Sequence, residues 1–143
     1  FGGSKTSVAE DAQFMVGQGF VVVAYSARGF GASTGSISLN APDYEVADAS
    51  RIIDYLAESD AVIQDSPGDP RVGFAGGSYG GALSLMVAGY DPRVDAIAAD
   101  ITWNNLQTSL FPQSVLNSTE LGVYKQLWAA LFFSSGLSGG PID

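Results

Sequence analysis

Arg71-Val72-Gly73-Phe74-Ala75-Gly76-Gly77-Ser78-Tyr79-Gly80-Gly81-Ala82-Leu83-Ser84-Leu85-Met86 decides the fold. Arg71 to Gly76 is short and apolar, as a buried strand is. From Tyr79 to about Ala88 the residues favour a helix, which Gly89 is placed to end. Between the two lies Gly76-Gly77-Ser78-Tyr79-Gly80, a match to the G-x-S-x-G elbow. A serine on a sharp strand-to-helix turn projects its hydroxyl clear of the backbone, and the turn forces strand and helix close together. Side chains two residues before and after are expected to collide there, which explains glycine at 76 and 80. The helix N-terminus then points amides and a positive dipole end at developing negative charge. Ser78 is the candidate nucleophile. A glycine-rich turn whose serine only caps the helix is the alternative. A phosphate loop is disfavoured because no Gly-Lys-Ser/Thr follows.

Upstream, Ser7-Val8-Ala9-Glu10 fits a capping box, and Val8, Ala12, Met15 and Val16 recur at helical spacing. The spacing predicts a helix over about 7–17. Phe20-Val21-Val22-Val23-Ala24-Tyr25 is β-branched and apolar on both faces, the pattern of a strand buried in a parallel sheet. A glycine-punctuated loop, Ser26 to Gly35, follows. Asn40 is expected to cap the next helix, with Pro42 in its first turn. Val46, Ala49, Ile53, Leu56 and Ala57 make that helix's apolar stripe, and Ser66-Pro67-Gly68-Asp69-Pro70 reads as a turn. Downstream, Asp91-Pro92-Arg93 turns the chain into a third strand, Val94 to Asp100. Helices and strands alternate, which predicts α/β architecture: a parallel sheet with right-handed crossovers and helices on both faces. After Asp100 the pattern changes. Both tryptophans fall there, and Leu121, Tyr124, Leu127, Trp128, Leu131 and Phe132 predict an amphipathic helix.

The composition narrows the function. At 143 residues, 46% hydrophobic and 15% charged, the chain is long and apolar enough to bury a core. Its net charge of -9, with only Lys5, Lys125 and four arginines, disfavours nucleic acid or anionic membrane as a partner. No run approaches the ~20 apolar residues of a membrane helix. There is no cysteine, so disulfides and thiolate chemistry are excluded. There is no histidine, so the commonest general base and metal ligand are missing; no metal or cofactor is expected. The opening Phe1-Gly2-Gly3-Ser4 reads as a chain cut inside a loop.

With Ser78 placed, the neighbouring segments resemble the serine peptidase S15 and cocaine-esterase-like acyl hydrolases, Xaa-Pro dipeptidyl-peptidase-like enzymes on a branch of the α/β-hydrolases. Val22 to Gly29 is similar to that family's strand ending in Asp-x-Arg-Gly, with Ser26 where Asp is usual. Gly31-Ala32-Ser33-Thr34-Gly35 is similar to its following loop, Arg71 to Gly81 to its elbow, and Ile101-Thr102-Trp103-Asn104-Asn105-Leu106 to the stretch leaving the next strand. The likeness covers most of residues 1–112. It implies an α/β-hydrolase core over 1–102 and the start of a helical cap over 103–143.

The resemblance also assigns roles. Ser78 would attack an acyl ester or an Xaa-prolyl peptide bond. Tyr79 would donate one oxyanion amide. Phe1 would donate the other if a His-Gly pair precedes it, and otherwise it is an ordinary chain end. Trp103, Leu106, Phe111 and Trp128 are candidate apolar walls of a substrate pocket, or else ordinary packing. Ser33 is not expected to be a nucleophile, because no helix starts after it. Arg28 is expected to anchor its loop. The triad acid and histidine of the family come after the cap, so they are expected outside this chain, on the remainder of the polypeptide or an oligomer partner. Asp100 is read as a loop anchor rather than the acid. Neither Lys5 nor Lys125 has the spacing of a Ser-Lys pair. Two other classes stay open: a non-catalytic binding or scaffold protein on the same fold, and an acyltransferase using the same elbow.

Overall fold

The segment around Ser78 folds as strand, turn, helix, strand in a computed structural model that describes residues 3–112 and 124–137. The chain is mixed α/β. A 3₁₀ turn over Lys5–Val8 leads into α1 (Ala9–Gly17), and a π turn over Pro42–Val46 leads into α2 (Ala47–Ala57). A short antiparallel hairpin pairs β1 (Gln64–Ser66) with β2 (Asp69–Pro70). Then come β3 (Val72–Gly77), α3 (Tyr79–Tyr90) and β4 (Val94–Asp100), followed by α4 (Leu106–Leu110) and α5 (Gln126–Leu137).

β3 and β4 run parallel, the register passing from Val72↔Val94 to Gly73↔Ala96 and on to Gly77↔Asp100. The irregularity leaves Asp95 as the extra residue, and its carboxylate accepts the Val72 N–H at 2.8 Å. A broken ladder is thereby re-satisfied by a side chain. Leu83 and Val87 of α3 pack with Ala49 and Ile53 of α2 and with Val46. Tyr25, Val72, Phe74, Met86 and Val94 close around them. Burial of each large aliphatic side chain here contributes about 1.5–3 kcal/mol. Arg93 joins the two helices electrostatically. Its guanidinium donates to Asp91 (2.9 and 2.7 Å) and to Asp54 of α2 (2.9 Å), which fixes the α3–β4 turn against α2. That pairing holds the Asp91 carboxyl at about 2.

Five expectations need correction. Residues 20–25 pair with no strand among the described residues; Phe20, Val21 and Val23 are exposed, and only Tyr25 reaches the core. A β-branched run becomes a strand only where a neighbour takes its N–H and C=O groups. Among the described residues, helices cover one face of the sheet rather than both. Val72 and Phe74 face the core, while the alternating Gly73, Ala75 and Gly77 are exposed, and α1 has no buried residue. The capping box at Ser7 and Glu10 does not form, because the Ser7 hydroxyl turns back to accept the Ser4 N–H at 3.1 Å. Asn40 does not cap α2. The π turn begins after Ala41, and Asn40 lies outside it in the left-handed region. α3 continues through Gly89 to Tyr90 and ends where Asp91-Pro92 turns the chain. The expected helix near the C-terminus is α5, although Leu121 lies outside the described residues. Leu127, Trp128, Leu131 and Phe133 on it are exposed.

Candidate active site

Ser78 stands between β3 and α3 with φ 51 and ψ -112. A non-glycine residue in this region costs about 1–3 kcal/mol, so its surroundings must enforce it. They do so through the backbone. The Ser78 N–H donates to the Asp100 carbonyl at 2.9 Å, which ties the turn to the end of β4. The Ser78 carbonyl accepts from the Ala82 N–H at 3.0 Å and from Thr102 Oγ1 at 2.9 Å. The Ser78 side chain is exposed, and its hydroxyl takes no hydrogen bond among the described residues. α3 starts at Tyr79, so the positive end of the helix lies beside that hydroxyl.

The glycines that permit the turn are not quite those the motif names. A Cβ on Gly76 would stand 2.7 Å from the backbone of Gly80, so Gly76 is required for the close approach. A Cβ on Gly80 would meet nothing within 4 Å. The second constrained position is Gly81, where a Cβ would stand 2.9 Å from both the Asp100 and Gly76 carbonyl oxygens. α3 therefore touches the sheet at Gly81, one residue beyond the five-residue pattern.

Tyr79 is held on several sides. Its hydroxyl donates to Glu45 Oε1 at 3.0 Å and accepts the Asn40 N–H at 3.0 Å. Its carbonyl accepts from Asn40 Nδ2 at 3.1 Å. Its ring packs against Phe30, with centroids 5.2 Å apart, and meets Trp103 edge-on at 6.3 Å. Burial is the main cause that pushes the Tyr79 phenol above its ordinary value, and the Glu45 carboxylate adds to it. Tyr25 is raised likewise, to about 12, by burial and then by the charges of Asp48 and Glu45.

A cleft of about 340 Å³ lies at the elbow, walled by Ser4, Ser26, Phe30, Phe74, Ser78 and Tyr79 among others. The structure thus brings Ser78 and Tyr79 together at one opening. Trp103 reaches the site through the Tyr79 ring. Leu106 opens α4 and is not in the cleft wall. Phe1 lies outside the described residues, while Gly3 and Ser4 after it line the cleft. A larger, more open depression of about 620 Å³ lies beside Arg28, Ser33 and Asp48. It carries no comparable chemistry, since the Ser33 hydroxyl donates to the Ser26 carbonyl at 2.7 Å. Arg28 grips Asp48 through two hydrogen bonds (2.7 and 2.8 Å) and lies over the Tyr44 ring, the anchoring role expected of it.

Glu45 and Asn40 were not legible as site residues. Glu45 carried one faint signal: it precedes Ala49 by four residues and Ile53 by eight, so it lies on the buried stripe of α2 and its lead-in turn. A carboxylate in that position needs a partner.

Among curated proteins, no sequence matches the chain. A family model does: residues 2–135 match that of the X-Pro dipeptidyl-peptidases, S15. The match spans the elbow, the cleft-lining segments and α4, and on that extent the chain belongs to the X-Pro dipeptidyl-peptidase (S15) family of hydrolases.

Proposed function

We propose that Ser78 is the nucleophile of a serine hydrolase that cleaves an acyl ester or an Xaa-prolyl peptide bond. The observation that carries this reading is the left-handed backbone of an exposed serine at a strand-to-helix junction, with φ 51. The family match supports hydrolysis as the reaction class. In the first step the Ser78 hydroxyl oxygen bonds to the substrate carbonyl carbon while a base takes its proton. The carbonyl oxygen becomes an oxyanion held by the Tyr79 amide and the positive end of α3, with the Phe1 amide as second donor. The tetrahedral intermediate collapses, and the alcohol or amine leaves with the proton returned by the base. Water then gives a proton to the base and bonds to the acyl carbon, and the Ser78 oxygen leaves with that proton, which releases the carboxylic acid and restores the serine.

These 143 residues contain no histidine. The base is therefore assigned to sequence outside them, on the same polypeptide or a partner, and the family resemblance implies that its carboxylate partner lies there too. Residues 103–143 are assigned to the start of a helical cap; of its candidate wall residues, Trp103 is supported by its contact with the Tyr79 ring, whereas Leu106 lies outside the cleft wall. The substrate is a small ester or peptide. A second reading is a binding protein that retains the fold without catalysis, which holds if no histidine outside these residues reaches Ser78.

A fluorophosphonate probe separates the two. Labelling of Ser78 in the complete gene product, with none in the 143-residue chain alone and none after Ser78→Ala, supports the hydrolase. Labelling that survives Ser78→Ala refutes the assignment, and no labelling under any condition supports the binding protein.

A further inference from the structure

The segment before α2 grips Tyr79 more firmly than packing alone explains. Leu39 and Asn40 both adopt left-handed backbone, with φ 53 and 62. Asparagine tolerates that region better than most residues, whereas leucine pays a larger strain. The bend delivers Asn40, only 2% exposed, so that its N–H meets the Tyr79 hydroxyl and its Nδ2 meets the Tyr79 carbonyl. Glu45 is 1% exposed. Its Oε1 accepts both the Tyr79 hydroxyl and the Ser38 N–H, at 3.0 and 2.6 Å. Its Oε2 is buried with no hydrogen-bond partner among the described residues. A carboxylate buried in this way costs stability that a phenylalanine at 79 and an apolar residue at 45 would avoid.

The geometry gives that cost a use. The peptide unit that carries the Tyr79 N–H also carries the Ser78 carbonyl, which Thr102 Oγ1 holds at 2.9 Å. The next peptide unit carries the Tyr79 carbonyl, which Asn40 holds at 3.1 Å. The Tyr79 Cα is thus clamped between two pinned peptide planes, and its side chain is clamped at the far end by Glu45. An oxyanion donor works only if it already points at the place where charge will develop, because reorientation during the reaction raises the barrier.

We infer that Asn40 and Glu45 are positioning residues that aim the Tyr79 amide at the oxyanion. The inference rests on the reading of Ser78 as nucleophile. Neither residue touches substrate; both act through Tyr79.

The test compares Asn40→Gly, Asn40→Asp and Glu45→Gln with the parent in the complete gene product. Asn40→Gly keeps the left-handed backbone and deletes only the side chain. Asn40→Asp keeps the shape and replaces the donor by an acceptor. Glu45→Gln keeps shape and removes charge. Each is assayed with a p-nitrophenyl ester and with a boronic acid that mimics the tetrahedral oxyanion, with active sites counted by fluorophosphonate. For the two Asn40 variants kcat per labelled site should fall about tenfold or more with KM within about twofold, and boronate affinity should fall in parallel. Glu45→Gln should move in the same direction by less. A packing role alone would lower thermal stability and leave kcat per labelled site and boronate affinity unchanged, which would overturn the inference. Should Asn40→Gly not fold, Asn40→Asp carries the same comparison. Ser78→Ala keeps the two claims apart: activity that survives it refutes the nucleophile, whereas activity lost there but intact in both Asn40 variants refutes only the positioning.

Discussion

Gly80 and Gly81 should respond to alanine in opposite directions. Gly81→Ala would place a Cβ 2.9 Å from two carbonyl oxygens, Asp100 at the end of β4 and Gly76 in β3, and 3.1 Å from Thr102 Cβ. Ordinary contact begins near 3.4 Å, so two backbone overlaps of roughly half an ångström must be relieved by moving α3 off the sheet. No rotamer change can help, because the clashing atoms are main chain. Overpacking of this kind costs about 1–3 kcal/mol. Alanine in a helix returns up to about 1 kcal/mol relative to glycine. The net expectation is a loss of about 1–2 kcal/mol. Gly80→Ala meets nothing within 4 Å, so it keeps only the helical gain, about 0.5–1 kcal/mol. The two variants should therefore differ by roughly 2 kcal/mol. With a urea m-value of about 2 kcal/mol/M, that is about 1 M between their unfolding midpoints. Equilibrium urea unfolding followed by tryptophan fluorescence reads this directly. Equal midpoints, or a Gly80→Ala variant that unfolds first, would refute the contact geometry of the elbow.

The acid limb of stability should carry the signature of Asp91. Its folded value of about 2 lies below its ordinary 3.8 because of Arg93, so its contribution is complete above about pH 4 and is lost as pH falls through about 2. The gap corresponds to about 2 kcal/mol, and Asp91→Asn should lose about that much near neutrality and flatten the profile between about pH 4 and 2. Urea midpoints measured across that range check it, and an unchanged profile would contradict it. Arg28→Lys should also destabilise, because an ammonium cannot reproduce the two-pronged contact with Asp48 or the guanidinium's contact over the Tyr44 ring. Thermal melting checks this, and a variant melting with the parent would show that the fork contributes nothing.

How much of this was readable in advance follows from the range of each interaction. β3, α3 and β4 were legible because their causes are local: an apolar run, a glycine at 76 that lets strand and helix close on each other, and Asp91-Pro92-Arg93 as the turn into β4, although Gly80 proved unconstrained and the helix ran past Gly89. The serine at the junction was legible for the same reason. Residues 20–25 misled because apolar patterning reports a tendency to bury and says nothing about whether a neighbour completes the ladder. The same limit applied to the sheet's second face, where alternation of elements implied cover that the described residues do not provide. Gly81 was missed because the five-residue motif stops at Gly80, while the close contact is set by the distance of α3 from Asp100. Asn40 and Glu45 act on a residue 39 and 34 positions away, so no window on the sequence could pair them with Tyr79.

A nucleophilic Ser78 becomes acylated during turnover, and the mass of the trapped intermediate reads that event. The complete gene product is mixed with a p-nitrophenyl ester, quenched in acid within the first turnover, and digested for peptide mapping. A burst of nitrophenol is expected, matched by one acyl group on the peptide that contains Ser78, with both absent in Ser78→Ala. An acyl group carried on any other residue, or steady turnover without an acylated Ser78 peptide, would contradict the nucleophile assignment.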